Sequence, residues 1–174
     1  MAFSWRFTLS PSKEPVYGGK AVNQWLDAGY EDCVMAVQEI GPAAGPYILV
    51  KLAQEDSRFG TAQQYRAVWN QLPPFLRTAF PKPHAGNFDE GRASSILMEL
   101  GRPVIPLLAN HLDDKNPAVR IACARVLGSF GQRGVNIAST VPALRKAARD
   151  SNPEVAILAT AALNKPATLI VHRP

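Results

Sequence analysis

The sequence predicts an all-α protein, an α-α superhelix of stacked helical pairs, on three observations. The first is a recurrence. Asp114, Pro117, Val119, Ile121 and Leu127 return as Asp150, Pro153, Val155, Ile157 and Leu163, each pair 36 residues apart. The second is punctuation, with prolines and Asn-Pro steps standing where helices should open. The third is an apolar stripe at helical spacing behind each such opening. The 174 residues suit one domain. A content of 47% hydrophobic and 19% charged residues describes a chain able to bury a core.

Taken in order, residues 1–19 read as an irregular arm, because Pro11, Pro15, Gly18 and Gly19 interrupt any regular element. Gly18-Gly19-Lys20 lacks the earlier Gly, the following Ser or Thr and the preceding strand that a phosphate loop requires. GKAVNQWLDAG then predicts a short helix, with Val22, Trp25 and Leu26 at helical spacing. A second helix follows over about 31–40, with Val34, Val37 and Ile40 on one stripe and Gly41-Pro42 as its stop.

Segments 39–56 and 99–114 share a plan. Gly41 and Gly101 are each followed five residues later by a proline, Pro46 or Pro106, then by an apolar helix and an acidic turn. Segment 140–152 repeats the second half, with Pro142 at the 36-residue offset from Pro106. Proline in the first helical turn gives up no hydrogen bond, since that N–H has no intrahelical partner, so these prolines mark helix starts. Asn116 and Asn152 are placed as N-caps, with Pro117 and Pro153 at the first helical position. Behind the first of these openings Val119, Cys123, Val126, Leu127 and Phe130 form one apolar stripe, and Val155 restarts it in the next copy. A helical pair of this length encloses no core alone. Stacked pairs do, each burying its stripe against the next.

Residues 57–91 depart from the repeat. Tyr65, Val68, Trp69 and Leu72 have helical spacing, Pro73-Pro74 breaks that helix, PPFLRTAF resumes as a short one, and 81–91 reads as a long loop. The organisation expected is an arm at 1–19, a repeat domain at 20–166 and a tail at 167–174.

These residues resemble a HEAT-repeat protein, a HEAT/armadillo-like solenoid of the bacterial type also found in phycobilisome-lyase-like repeat proteins. The resemblance rests on NPAVRIACARVLG and NPEVAILATAALN, an Asn-Pro opening, a hydrophobic-Arg step and an alanine-rich helix. It covers about 31–56 and 92–165 well and 57–91 loosely. It implies a scaffold for contacts with a protein partner, without catalysis or cofactor. The Val119-Arg120 step becomes Val155-Ala156 in the last unit, so a tie from Arg120 to an acidic turn such as Asp150 would not be continued there. The helix over 154–163 is apolar nearly all round, whereas terminal repeats need a polar outer face. Residues 167–171, a second copy of the chain or a partner are the candidates to cover it, and the tail or self-association through 155–163 is preferred.

No catalytic constellation stands out. His84, His111 and His172 are scattered, and His111 suits a helix C-terminus. The pairs Glu31-Asp32, Glu55-Asp56, Asp89-Glu90 and Asp113-Asp114 read mostly as charges of turns and helix starts. Cys33 and Cys123 are too few for a zinc site, and Cys123 lies on an apolar stripe, the setting of a buried free thiol.

Charge is unevenly spread. Residues 101–174 hold ten Lys and Arg against four Asp and Glu, while the first hundred are nearly neutral. Arg120, Arg125, Arg145, Lys146 and Arg149 are therefore the candidate partner-binding surface, on or beside a concave face lined by the second helix of each pair. A protein partner is the first expectation, beside the plainer reading of a solvated repeat surface. Nucleic acid is the alternative, as in HEAT-like alkylpurine DNA glycosylases, with Trp25 and Trp69 as stacking residues, although both sit at positions typical of core. Action on a tetrapyrrole carrier would rest on the family resemblance alone. Uncharged apolar stretches fall short of a membrane span and the first residues make a poor signal peptide. A cytoplasmic location is favoured, with envelope anchoring possible for a chain that begins further upstream.

Overall fold

Helices open within a residue of Pro46, Pro74, Pro106 and Pro142 and at the Asn116-Pro117 and Asn152-Pro153 steps. The computed structural model describes the backbone of residues 14–77 and 88–164 and, outside 57–68, their side chains. Its helices in chain order are α1 (Val22–Leu26), α2 (Tyr30–Ile40), α3 (Gly45–Gln71), α4 (Pro74–Arg77), α5 (Glu90–Glu99), α6 (Ile105–Asn110), α7 (Pro117–Gln132), α8 (Val141–Ala147) and α9 (Pro153–Leu163). Helices α2, α5, α7 and α9 lie side by side, each packed on the next. Helices α3, α6 and α8 form the accompanying layer, with α3 against α5 and α7, α6 against α7 and α8, and α8 against α9.

Two turn devices recur. The first joins α2 to α3 and α5 to α6. Gly41 (φ 72, ψ −154) and Gly101 (φ 67, ψ −154) adopt nearly the same left-handed backbone, which glycine enters without a Cβ penalty. A short 3-10 turn follows each, and Pro46 and Pro106 fall within the first two residues of the next helix. Pro142 does the same for α8. The link between α7 and α8 also uses a left-handed glycine, Gly134 (φ 74). The sequence comparison misses it because Val135, Asn136 and Ile137 lengthen that turn. The second device is the Asn-Pro cap, with φ and ψ of −84 and 119 at Asn116 and −83 and 117 at Asn152.

The core runs continuously through the stack. Val119, Cys123, Val126, Leu127 and Phe130 are all buried, joined by Ile96 and Leu97 of α5, Leu144 of α8 and Val155, Ala159 and Ala162 of α9. At the head of α3 two side chains crowd the backbone closely. A Cβ on Gly45 would meet Leu107 Cδ2 at 2.6 Å and Val104 Cγ2 at 3.3 Å. The helical run 30–56 has the length and composition of a membrane span. Gly41 breaks it, and Cys33, Ala36 and Val37 of α2 and Ile48, Leu49 and Leu52 of α3 pack inside the protein.

Several expectations need correction. The acidic turn expected at Glu55-Asp56 is absent, and α3 runs unbroken from Gly45 to Gln71. The turns at Asp114 and Asp150 lead into Asn-Pro after one residue, whereas this one is followed by Ser57-Arg58, so nothing stops the helix. Helix α5 already starts at Glu90, capped by Asp89, whose Oδ1 accepts from Arg92 N–H at 2.8 Å. The loop expected at 81–91 is therefore shorter at its end, and residues 81–87 lie outside the described residues. The arm is not irregular throughout. Val16–Tyr17 pairs antiparallel with Lys20–Ala21, with Gly18 and Gly19 (φ 55 and 76) as the turn. Trp25 is not core. Its ring lies 4.5 Å from Lys20 Nζ and its indole N–H donates to Tyr17 C=O at 3.0 Å. Trp69 is half-buried, with the Arg77 guanidinium 4.9 Å above its ring.

Candidate functional site

The turns between α6 and α7 and between α8 and α9 set up the region where the basic residues gather. In each, an Asp side chain accepts from the Asn two residues on: Asn116 N–H to Asp114 Oδ1 at 2.9 Å, and Asn152 N–H to Asp150 Oδ1 at 2.7 Å. The Asn then caps the helix. Asn116 Oδ1 accepts from Ala118 N–H at 2.8 Å, and Asn152 Oδ1 from Glu154 and Val155 N–H at 2.9 and 3.3 Å. Asn116 also donates from Nδ2 to Ala53 C=O at 3.3 Å, which ties this turn to α3.

Arg120 joins the two turns. Its Nε and Nη2 each donate at 2.8 Å to the two oxygens of Asp150, and its Nη1 donates to the carbonyls of Asp114 and Lys115 at 2.9 and 3.2 Å. Both side chains are nearly enclosed, at 13% and 12% exposure. The guanidinium fork holds the Asp150 carboxyl below the ordinary carboxylate range, aided by the Asn152 N–H and opposed by burial. Arg120 is thus removed from the candidate binding surface. It is a fastener between consecutive units.

The other four basic candidates separate into two groups. Arg125 pairs with Glu154 at 2.9 Å, which links α7 to the first turn of α9. Glu90, at the start of α5, is raised by burial and by the charge of Glu154, with Arg125 acting against both. Arg145, Lys146 and Arg149 lie at the end of α8, all exposed. They border a groove of about 610 Å³ whose other lining residues are Leu112, Asp113, Ala147 and Asp150. Lys146 reaches Asp113 across the groove at 2.6 Å, with both side chains well exposed. Among the described residues Arg145 and Arg149 make no ion pair. Sequence reasoning missed Leu112 and Asp113 as parts of this groove, since they belong to the preceding unit.

The remaining candidates find structural places. His111 Nδ1 sits 3.0 Å from Asp114 Oδ2, within the turn. His84 and His172 lie outside the described residues. Cys33 and Cys123 are free and buried. Burial pushes both thiols up, with the charge of Asp114 adding at Cys123 and Arg92 opposing at Cys33. Arg92 itself is committed, donating from Nη2 to the Leu26 carbonyl at the end of α1 and the Ala28 carbonyl just past it, at 3.3 and 2.6 Å. One face of α9 packs on α7 and α8 through Val155, Ala159 and Ala162. On its other face Ile157 is 68% exposed beside Thr160 and Ala161. Residues 167–171, expected to fold over it, lie outside the described residues.

Residues 105–168 match the family model for HEAT repeats. This part of the chain carries HEAT repeats. No curated protein and no solved structure matches it. The HEAT match takes in α6 to α9, so the fastener at Arg120 and the groove beside α8 belong to the HEAT units themselves. HEAT repeats commonly mediate protein interactions, and the family is generally non-catalytic.

Proposed function

We propose that this chain is a non-catalytic scaffold that holds a protein partner against the edge formed by α8 and the neighbouring turns. One observation carries the reading. The HEAT units place Arg145, Lys146 and Arg149 together at an exposed edge beside a groove, while their neighbour Arg120 is withdrawn to fasten the stack. A rigid backbone with its structural charges satisfied internally, and with a few charges left over on one edge, suits recognition more than chemistry. Such an edge meets a partner with no conformational change in the array. The repeat domain at 20–166 is the unit we assign this role.

Nucleic-acid binding is the second reading, favoured by the ten basic residues of the C-terminal half. The aromatic side chains it called on do not support it. Trp25 is covered by Lys20 and Tyr17, and Trp69 is stacked under Arg77. Binding of that kind would weaken steeply with salt.

The test is site-specific photo-cross-linking in the native source, with a benzophenone side chain at Ser151, in the turn beside Asp150, or at Met35, exposed on α2. A discrete polypeptide conjugate from position 151 and none of the same size from position 35 supports the scaffold. Conjugates to nucleic acid alone, or the same pattern from both positions, refute it.

A further inference from the structure

The groove beside α8 has a charge imbalance that points to the chemistry of its occupant. Lys146 is matched by Asp113 across the groove, and Asp150 is matched from beneath by Arg120. That leaves Arg145 and Arg149, one helical turn apart, both exposed and neither in an ion pair among the described residues. The α8 C-terminal dipole accounts for basic residues at this position but neutralises none of them. Between them Leu112 and Ala147 are buried, which gives the groove an apolar floor.

We propose that this groove takes an acidic segment of the protein partner, with Arg145 and Arg149 each receiving a carboxylate. The proposal rests on the scaffold reading above and names the chemistry of what the scaffold holds. Guanidinium forks match carboxylates two bonds at a time, and the spacing of one helical turn suits two acidic side chains of a single peptide. The apolar floor receives the methylenes of Glu side chains or a small apolar residue between them. With Asp113 taken up by Lys146, Arg145 and Arg149 are left for two carboxylates of a polypeptide, whereas a phosphate backbone places a charge at every step. Among the described residues no aromatic side chain lines the groove for a base to stack on.

The test uses the full chain and fluorescence anisotropy at low salt, about 50 mM, where exposed charges act at full range. The probe is a fluorescein-labelled peptide with glutamates interspersed among alanine and serine. Its Gln counterpart and a single-stranded DNA oligonucleotide are the comparison arms. The Glu peptide should bind and the Gln peptide should not. Arg145→Glu/Arg149→Glu should weaken the Glu peptide at least ~10-fold, as loss of two charge-assisted contacts with reversal requires. Arg102→Glu/Arg133→Glu, exposed and outside the groove, should change it less than about twofold. Unchanged melting of all variants shows that they fold. The proposal is overturned by a double variant that keeps full affinity, by DNA binding at least as tight through the same two arginines, or by no binding of the Glu peptide at about 1 mM protein. A protein that cross-links at position 151 while the Glu peptide fails to bind sinks this proposal and leaves the scaffold standing.

Discussion

Replacing Arg120 by Ala should cost far more than replacing any other basic residue of the C-terminal half. Arg120 makes four hydrogen bonds, two to the Asp150 carboxylate and two to the carbonyls of the preceding turn. Ala leaves Asp150 with the Asn152 N–H but without its cation, and leaves the Asp114 and Lys115 carbonyls without this donor. Exposed pairs contribute about 0–1 kcal/mol, while breaking a buried pair costs about 3–5 kcal/mol. At 13% and 12% exposure the pair stands close to the buried limit, so about 3 kcal/mol is expected. For a chain of this size that is a fall of roughly 6–12 °C in Tm. Arg120→Lys keeps the charge but loses the fork, and should cost about 1–2 kcal/mol. The assay is urea unfolding of Arg120→Ala, Asp150→Ala and the double variant, with Arg125→Ala as the exposed-pair control at about 0.5 kcal/mol. The two substitutions share one interaction, so their effects should fall short of additive by more than about 1 kcal/mol. Strict additivity, or an Arg120→Ala loss no larger than that of Arg125→Ala, refutes the fastener.

Other outcomes follow from the same geometry. The lowered Asp150 carboxyl stabilises the fold fully above the ordinary carboxylate pKa, and that contribution is lost as pH falls from there through the folded value. Thermal melts on acidification should therefore show a smaller decline in Asp150→Asn than in the parent chain, and an equal decline contradicts the assignment. Asn152→Ala and Asn116→Ala each give up two side-chain hydrogen bonds and should each cost about 1 kcal/mol, read from urea midpoints. Gly45→Ala should destabilise by about 1–2 kcal/mol through crowding of Leu107 and Val104, as measured by calorimetry. Cys33 and Cys123 should both react slowly with a thiol reagent in the folded chain and rapidly in denaturant, since burial disfavours both thiolates.

What was legible in the sequence was whatever the backbone must do locally. Asn116-Pro117 and Asn152-Pro153 open helices because cap and ring geometry leave few alternatives, and Gly41 and Gly101 close them because the left-handed turn excludes a Cβ. What was not legible depends on partners distant in the chain. Arg120 looks like any surface arginine until Asp150, thirty residues on, is brought to its guanidinium. Trp25 has the spacing of a core residue, but α1 is only five residues long and its ring is claimed by the adjacent hairpin. The candidate site was half visible. The cluster of Arg145, Lys146 and Arg149 was in the sequence, whereas the groove needs Leu112 and Asp113 from the unit before.

All of these readings require α7 to be the interior member of a continuous stack, held between α5 and α9. Amide hydrogen exchange followed by mass spectrometry measures this directly. Ten residues of α7 are buried against three of α9, so the α7 amides should be the slowest to exchange and the α9 amides distinctly faster. Helix α7 exchanging as fast as α9 would mean that the units do not lie against one another, and the edge assigned to the partner would not exist.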